Sequence, residues 1–231
     1  MKFPEHYTLA EKNKLLDHLL TFVSENKQQK FREIIQSRTR HITIVLEDIF
    51  QPHNASAVLR SCDCFGIQDI HIIENKNSYE VNPDVALGSA KWLNLIKYNK
   101  TVQNTTECLN GLKEKGYRIV ATTPHKDDFT PENFPLDNKF ALVFGTELEG
   151  LTDDALNLAD MYIRIPMIGF TESLNISVSA AILLHTMTGR LFSSGIHWKL
   201  SDEEMTETLL TWASSVVKKP DLLIRDFVAN Q

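Results

Sequence analysis

Apolar residues recur at three- and four-residue intervals through residues 9–37, at Leu15, Leu16, Leu19, Leu20 and Val23 and again at Phe31, Ile34 and Ile35. That spacing predicts two short helices. The period then changes. Residues 41–46 (HITIVL) form a short β-branched run that predicts a buried strand. Pro52 breaks the chain, Asn54 is placed to cap a helix, and Gly66 closes that helix after Phe65. Further strands are predicted at 68–74 (QDIHIIE), 92–97 (WLNLIK), 117–122 (YRIVAT) and 140–144 (FALVF). Helices are predicted at 105–115, stopped by Gly116, and at 153–158. Residues 75–90 read as a polar loop with a turn near Pro83, and residues 123–139 as a loop holding Pro124, Pro131 and Pro135.

The pattern is densest at residues 163–187 (IRIPMIGFTESLNISVSAAILLHTM). An apolar strand at 163–165 turns through Pro166 and Gly169 into a polar loop at 171–175, and a long helix of small residues follows. Helical spacing resumes at 203–217, ahead of a tail reading KKPDLLIRDFVANQ. Strand–helix alternation predicts an α/β fold: a mainly parallel sheet with helices on both faces over residues 38–196. Helical arms at 1–37 and 197–231 flank it. Loops at the carboxyl ends of parallel strands are where such sheets bind ligands. Three places qualify: Asn54 with Arg60, Gly145 to Glu147, and the loop carrying Ser173 and Asn175.

Composition narrows the class. The 231 residues are 42% hydrophobic and 23% charged, ordinary for a globular chain with a sizeable core. No run reaches the ~18 apolar residues of a membrane span, and the start lacks a secretory apolar segment. A cytoplasmic protein is expected. Cys62, Cys64 and Cys108 make no disulfide framework, and no metal site is expected from their spacing. Net charge is −6, which disfavours non-specific nucleic-acid binding, but residues 1–40 hold eight Lys/Arg against five acids. Residues 1–40 are therefore net +3 and the remainder −9, a distribution compatible with a localised RNA contact. No Gly-x-Gly-x-x-Gly or Walker sequence is present, which argues against dinucleotide and P-loop enzymes.

Three motifs carry a resemblance. PHNASAVLRSCDCFG, FALVFGTELEGLTDDALNLAD and IRIPMIGFTESLNISVSAAILL look, in that order, like the motifs of the SpoU (TrmH-like) branch of the SPOUT RNA methyltransferases. The helical arms are similar to those of its tRNA guanosine-18 2′-O-methyltransferase group. The resemblance implies a trefoil-knotted fold, S-adenosylmethionine bound in the knot, a homodimer, and transfer of methyl to a tRNA ribose. A ribosomal-RNA 2′-O-methyltransferase and a knotted RNA-binding protein without catalysis are the alternatives.

The resemblance also assigns roles. Arg60 matches the family's catalytic arginine, the general base in the family proposal. A guanidinium stays protonated in proteins, so its bare chemistry is that of a phosphate clamp, or of a surface arginine pairing with Asp63. Asn54 matches the residue that positions Arg60 and the ribose, and it also suits a helix N-cap. Glu147 matches the residue that orients Arg60 or Asn175, against a plain loop acid. Ser173 and Asn175 match residues that touch RNA or hold the loop, against simple helix capping. Cofactor contacts fall on Thr122, Gly145, Ile165, Ile168 and Leu174, apolar members of which suit a core equally well. Lys218, Lys219 and Arg225 in the tail supply positive charge toward RNA.

Overall fold

The computed structural model describes residues 7–79, 88–126 and 128–229. In chain order its helices are α1 Leu9–Leu20, α2 Glu25–Ile35, α3 Pro52–Cys64, α4 Asn104–Glu114, α5 Asp153–Leu158, α6 Ile176–Phe192, α7 Asp202–Val216 and α8 Pro220–Ala229. Its strands are β1 Ile42–Glu47, β2 Asp69–Ile73, β3 Asn94–Tyr98, β4 Arg118–Thr122, β5 Phe140–Phe144 and β6 Met161–Ile163. The chain divides into two compact units, residues 39–198 and residues 1–38 together with 199–231.

The larger unit is built on one sheet in the order β3-β2-β1-β5-β4-β6, with every neighbouring pair parallel. The period of two sorts its side chains between faces. Ile42, Ile44, Leu46, Phe140, Leu142 and Phe144 join one buried cluster with residues of α3 and α6. Val45, Ala141, Val143 and Ile119 join another with Cys108, Leu109 and Leu112 of α4 and Ala155 of α5. Both faces are covered, so the central strands read as apolar throughout.

The strand order reverses its direction of growth between β1 and β5. From β1 the chain steps outward to β2 and β3, and then returns to build the other half. Leu46 pairs with Phe144 at the carboxyl end of this junction. Open α/β sheets bind ligands in the crevice beyond such a junction.

Two local expectations are corrected. The strand expected at 163–165 lies two residues earlier and ends at Ile163, which pairs with Thr122. Arg164 instead donates its N–H to the carbonyl of Phe129 at 3.0 Å, and Pro166 has no N–H to offer, so Ile165 belongs to the loop. The N-cap of α3 is Gln51, with Pro52 in the first turn, so Asn54 lies inside the helix. The turn expected near Pro83 falls outside the described residues.

The smaller unit is helical. Leu15, Leu16 and Leu19 of α1 and Phe31 and Ile35 of α2 are buried. Phe31 packs on Trp212 of α7 with ring centres 5.6 Å apart, and the Arg38 guanidinium lies 5.3 Å over the Trp212 ring. Lys12 joins α1 to α7 through Glu203 at 2.8 Å and Glu207 at 2.6 Å. Capping boxes open α1 (Thr8 with Glu11) and α7 (Ser201 with Glu204). The basic tail forms α8, entered through Lys219 at a φ of 53°. No disulfide joins Cys62, Cys64 or Cys108. Among the described residues no helix is long and apolar enough to cross a membrane.

Candidate active site

Three chain segments meet beyond the β1/β5 junction. Leaving β1, the chain enters α3 within five residues, and this brings Asn54 to the sheet's edge with its side chain buried. Leaving β5, it makes the loop 145–151. Leaving β6, it runs through 164–175 to the start of α6, where Asn175 is the N-cap.

Asn175 joins the three. Its amide nitrogen donates to Asn54 Oδ1 at 3.1 Å and to Glu147 Oε1 at 2.8 Å. Its Oδ1 accepts from the Ser177 N–H at 2.8 Å and from the Ser177 hydroxyl at 2.6 Å. A carboxylate can only accept, so the orientation of the Asn175 amide is fixed by Glu147. Asn54 in turn donates to Gln51 Oε1 at 3.2 Å. Helix capping and site construction are thus one arrangement at Asn175.

The 145–151 loop is closed on itself. Thr146 N–H donates to the Gly150 carbonyl at 2.9 Å, and Gly150 N–H returns to Thr146 at 3.1 Å. Glu149 N–H donates to the Thr146 hydroxyl at 3.0 Å. Gly145 is required by this closure: a Cβ there would lie 2.2 Å from the carbonyl carbon of Gly150. Gly150 itself has a φ of 72°, in the region that favours glycine.

This loop is the shared wall of two clefts. One, of about 580 Å³, is lined by Thr122, Gly145, Ile165, Met167, Ser173, Leu174 and Asn175 among others. The other, of about 650 Å³, holds Glu47, Asp48, Phe50, Asn54, Lys76 and Glu147. Both are of a size that takes a nucleoside-like ligand. The first has apolar walls at Ile165, Leu174 and Ile176, the 145–151 loop along one side, and hydroxyls at Ser173 and Ser179. Thr122 spends its own hydroxyl on the Val143 carbonyl at 2.8 Å, fixing β4 to β5 at the floor.

Of the residues expected from sequence, Asn54, Glu147 and Asn175 are hydrogen-bonded together, and Thr122, Gly145, Ile165, Ser173 and Leu174 line the first cleft. Ile168 does not line it; its side chain is fully exposed, and Met167 takes the inward place. Arg60 also stands apart. It lies six residues beyond Asn54, about 9 Å along the helix, and is exposed, with no hydrogen bond or ion pair among the described residues, so the pairing with Asp63 is not formed.

Sequence reasoning missed an acidic pair at the end of β1. Glu47 is buried and accepts from Thr105 and Thr152. Asp48, at a φ of 53°, accepts from the backbone N–H groups of Asn75, Lys76 and Asn77 at 2.7, 2.8 and 3.3 Å. The signal was present: two successive acids closing the run ITIVL, at the carboxyl end where ligand sites form.

Comparison with known proteins bears on this geometry. Residues 41–185 match the SpoU rRNA methylase family. The tRNA (guanosine(18)-2′-O)-methyltransferase of Borreliella burgdorferi is 42% identical over 200 residues, 87% of this chain and 90% of that protein. The enzyme of the same name from Thermus thermophilus is 30% identical over 191 residues, 82% of this chain and 96% of its own. Among solved structures, the TrmH/SpoU tRNA modifying enzyme of Aquifex aeolicus superposes with a TM-score of 0.74 at 28% identity, covering 84% of this chain and 98% of that one.

Proposed function

The chain belongs to the SpoU rRNA methylase family, and from that premise we propose that it methylates a tRNA ribose at the 2′-oxygen, with guanosine-18 as target. The relatives above, aligned along nearly their whole length, support the tRNA substrate over ribosomal RNA. The observation that carries the reading is the hydrogen-bonded trio Asn54, Asn175 and Glu147, set on the wall between two clefts at the sheet's junction.

The first cleft fits S-adenosylmethionine. Its apolar residues Ile165, Leu174 and Ile176 suit the faces of an adenine, and the backbone after Gly145 offers hydrogen bonds to the ring edge. Gly145, lacking a Cβ, lets the loop close against Gly150 and so shapes the wall of the cleft. When bound, the cofactor supplies an electrophilic methyl on a sulfonium, with a neutral thioether as leaving group. The 2′-hydroxyl is a poor nucleophile, so the chain's work is alignment and proton removal. Asn175 and Ser173 hold the ribose side of the cleft, Glu147 fixes the Asn175 amide, and Asn54 braces it from α3. Arg60, exposed on α3 and apart from the trio, holds an RNA phosphate with its protonated guanidinium. Lys218, Lys219 and Arg225 of the smaller unit add charge for tRNA.

A second copy of the chain is part of the same proposal. Ile168 and Phe170 are fully exposed beside the cleft, and Val178 and Ile182 form an exposed apolar pair one turn apart on α6. Such a patch suits a homodimer whose RNA site lies between subunits. The trefoil crossing belongs to this reading too, since the segments it would involve, 145–151 and 164–175, wall one cleft together. The cytoplasm, where tRNA is modified, is the compartment it implies.

The test is transfer of labelled methyl from S-adenosylmethionine to bulk tRNA and to ribosomal RNA, by wild type and Arg60→Ala. Label as 2′-O-methylguanosine in the tRNA D-loop, lost in the variant, is expected. Label confined to ribosomal RNA would overturn the substrate.

A further inference from the structure

Glu47 is only 1% exposed, at the end of the central strand β1. It shares a face with Val45, directed at α4 and α5, where a parallel strand ordinarily carries another apolar residue. A buried carboxylate is costly unless its oxygens are occupied. Here they are. Oε1 accepts from the Thr105 hydroxyl at 2.6 Å and from the Thr152 hydroxyl at 2.7 Å, and Oε2 accepts from the Thr152 N–H at 3.0 Å.

Thr152 is the first residue after the loop 145–151 and the N-cap of α5, its hydroxyl accepting from Ala155 N–H at 3.2 Å. The near end of the loop continues β5; the far end is tied to the sheet by this carboxylate. The loop walls both clefts and carries Glu147, which orients Asn175. Resting on the function proposed above, we infer that Glu47 is a positioning residue for the cofactor cleft: through Thr152 it holds the 145–151 loop in the shape that receives S-adenosylmethionine and presents Glu147. The bond to Thr105 serves a different end, seating α4 on the sheet. The two threonines therefore separate a role in the site from a role in the core.

Four variants of the full chain test this: Glu47→Gln, Thr152→Val, Thr152→Ser and Thr105→Val. Two readouts apply to each. One is amide hydrogen exchange of residues 146–152 in the protein without cofactor; the other is the Kd for S-adenosylmethionine by calorimetry. Glutamine turns one acceptor into a donor facing the Thr152 N–H, and valine removes the hydroxyl at constant shape. Loss of a hydrogen bond to a buried charge predicts about tenfold faster exchange in the loop and about tenfold weaker binding for both. Thr152→Ser restores both values. Thr105→Val lowers the thermal midpoint and leaves loop exchange and Kd unchanged. Wild-type exchange and affinity in folded Glu47→Gln and Thr152→Val would overturn the inference, as would a Thr105→Val variant behaving like Thr152→Val. Failure of the wild type to bind the cofactor would instead overturn the function itself, while the exchange data still decide whether Glu47 holds the loop.

Discussion

At the residue scale, Asn175 uses every hydrogen-bonding atom of its amide, two donors to Asn54 and Glu147 and one acceptor to Ser177. Removing it leaves two acceptors unmatched and lets the 164–175 segment shift. Asn175→Ala is expected to lower kcat/KM about 100-fold, the cost of a displacement on the order of 1 Å. Adding Glu147→Ala to that variant should cost little more, because the two residues act as one unit; a double-mutant cycle measures the coupling. His71 makes a prediction away from the site. Burial among β-strands, against Tyr98 at 3.0 Å, lowers its pKa to about 4, with Asp69 opposing and Lys115 adding to the shift. The native state therefore holds His71 neutral while the unfolded chain protonates near its ordinary value of 6.5. Stability contributed by this group is complete above that value and falls as pH drops from about 6.5 toward 4, by about 3 kcal/mol in all. Denaturant titrations across this window should show the loss, and His71→Phe should flatten it.

At the element scale, the 145–151 loop decides the shape of both clefts. Gly145→Ala places a methyl 2.2 Å from the Gly150 backbone, so the loop must open. Overpacking of this kind costs about 1–3 kcal/mol, and the expected result is a lower Tm with cofactor binding weakened at least in proportion. An equal change made at Gly195, where a Cβ meets open space, is the control. Most elements were legible in the sequence. β-branched runs gave the central strands, and Gly66 and Gly116, at φ of 77° and 82°, ended α3 and α4 where the pattern placed them. What periodicity could not read was the end of β6, because Ile163 and Ile165 alternate like strand residues while the hydrogen bonding passes from the sheet to Phe129. It also could not place Asn54 inside its helix, since Pro52 and asparagine both suit a first turn. The motif residues of the site were legible because they sit at strand ends. The acid at the end of β1 was visible, but the role of Glu47 was not, because its partners Thr105 and Thr152 are 58 and 105 positions away.

At the scale of the whole molecule, the fold brings residues from three distant motifs to one junction and leaves apolar surface beside it. If that surface receives a second copy, charge placed on it should separate the copies. Ile182→Glu is expected to shift the sedimentation coefficient from dimer to monomer and to lower tRNA methylation, with the unit's Tm little changed; a wild type that sediments as a monomer at micromolar concentration would contradict the shared site. The central claim is that methyl goes to a ribose oxygen beside the Asn54–Asn175–Glu147 trio. It is tested most directly with a tRNA carrying a single 2′-deoxyguanosine at position 18, offered with labelled S-adenosylmethionine beside the all-ribose tRNA. Label in the all-ribose tRNA and none in the deoxy-substituted one is the predicted result. Equal label in both would contradict the claim, because the acceptor would then be another atom or another nucleotide.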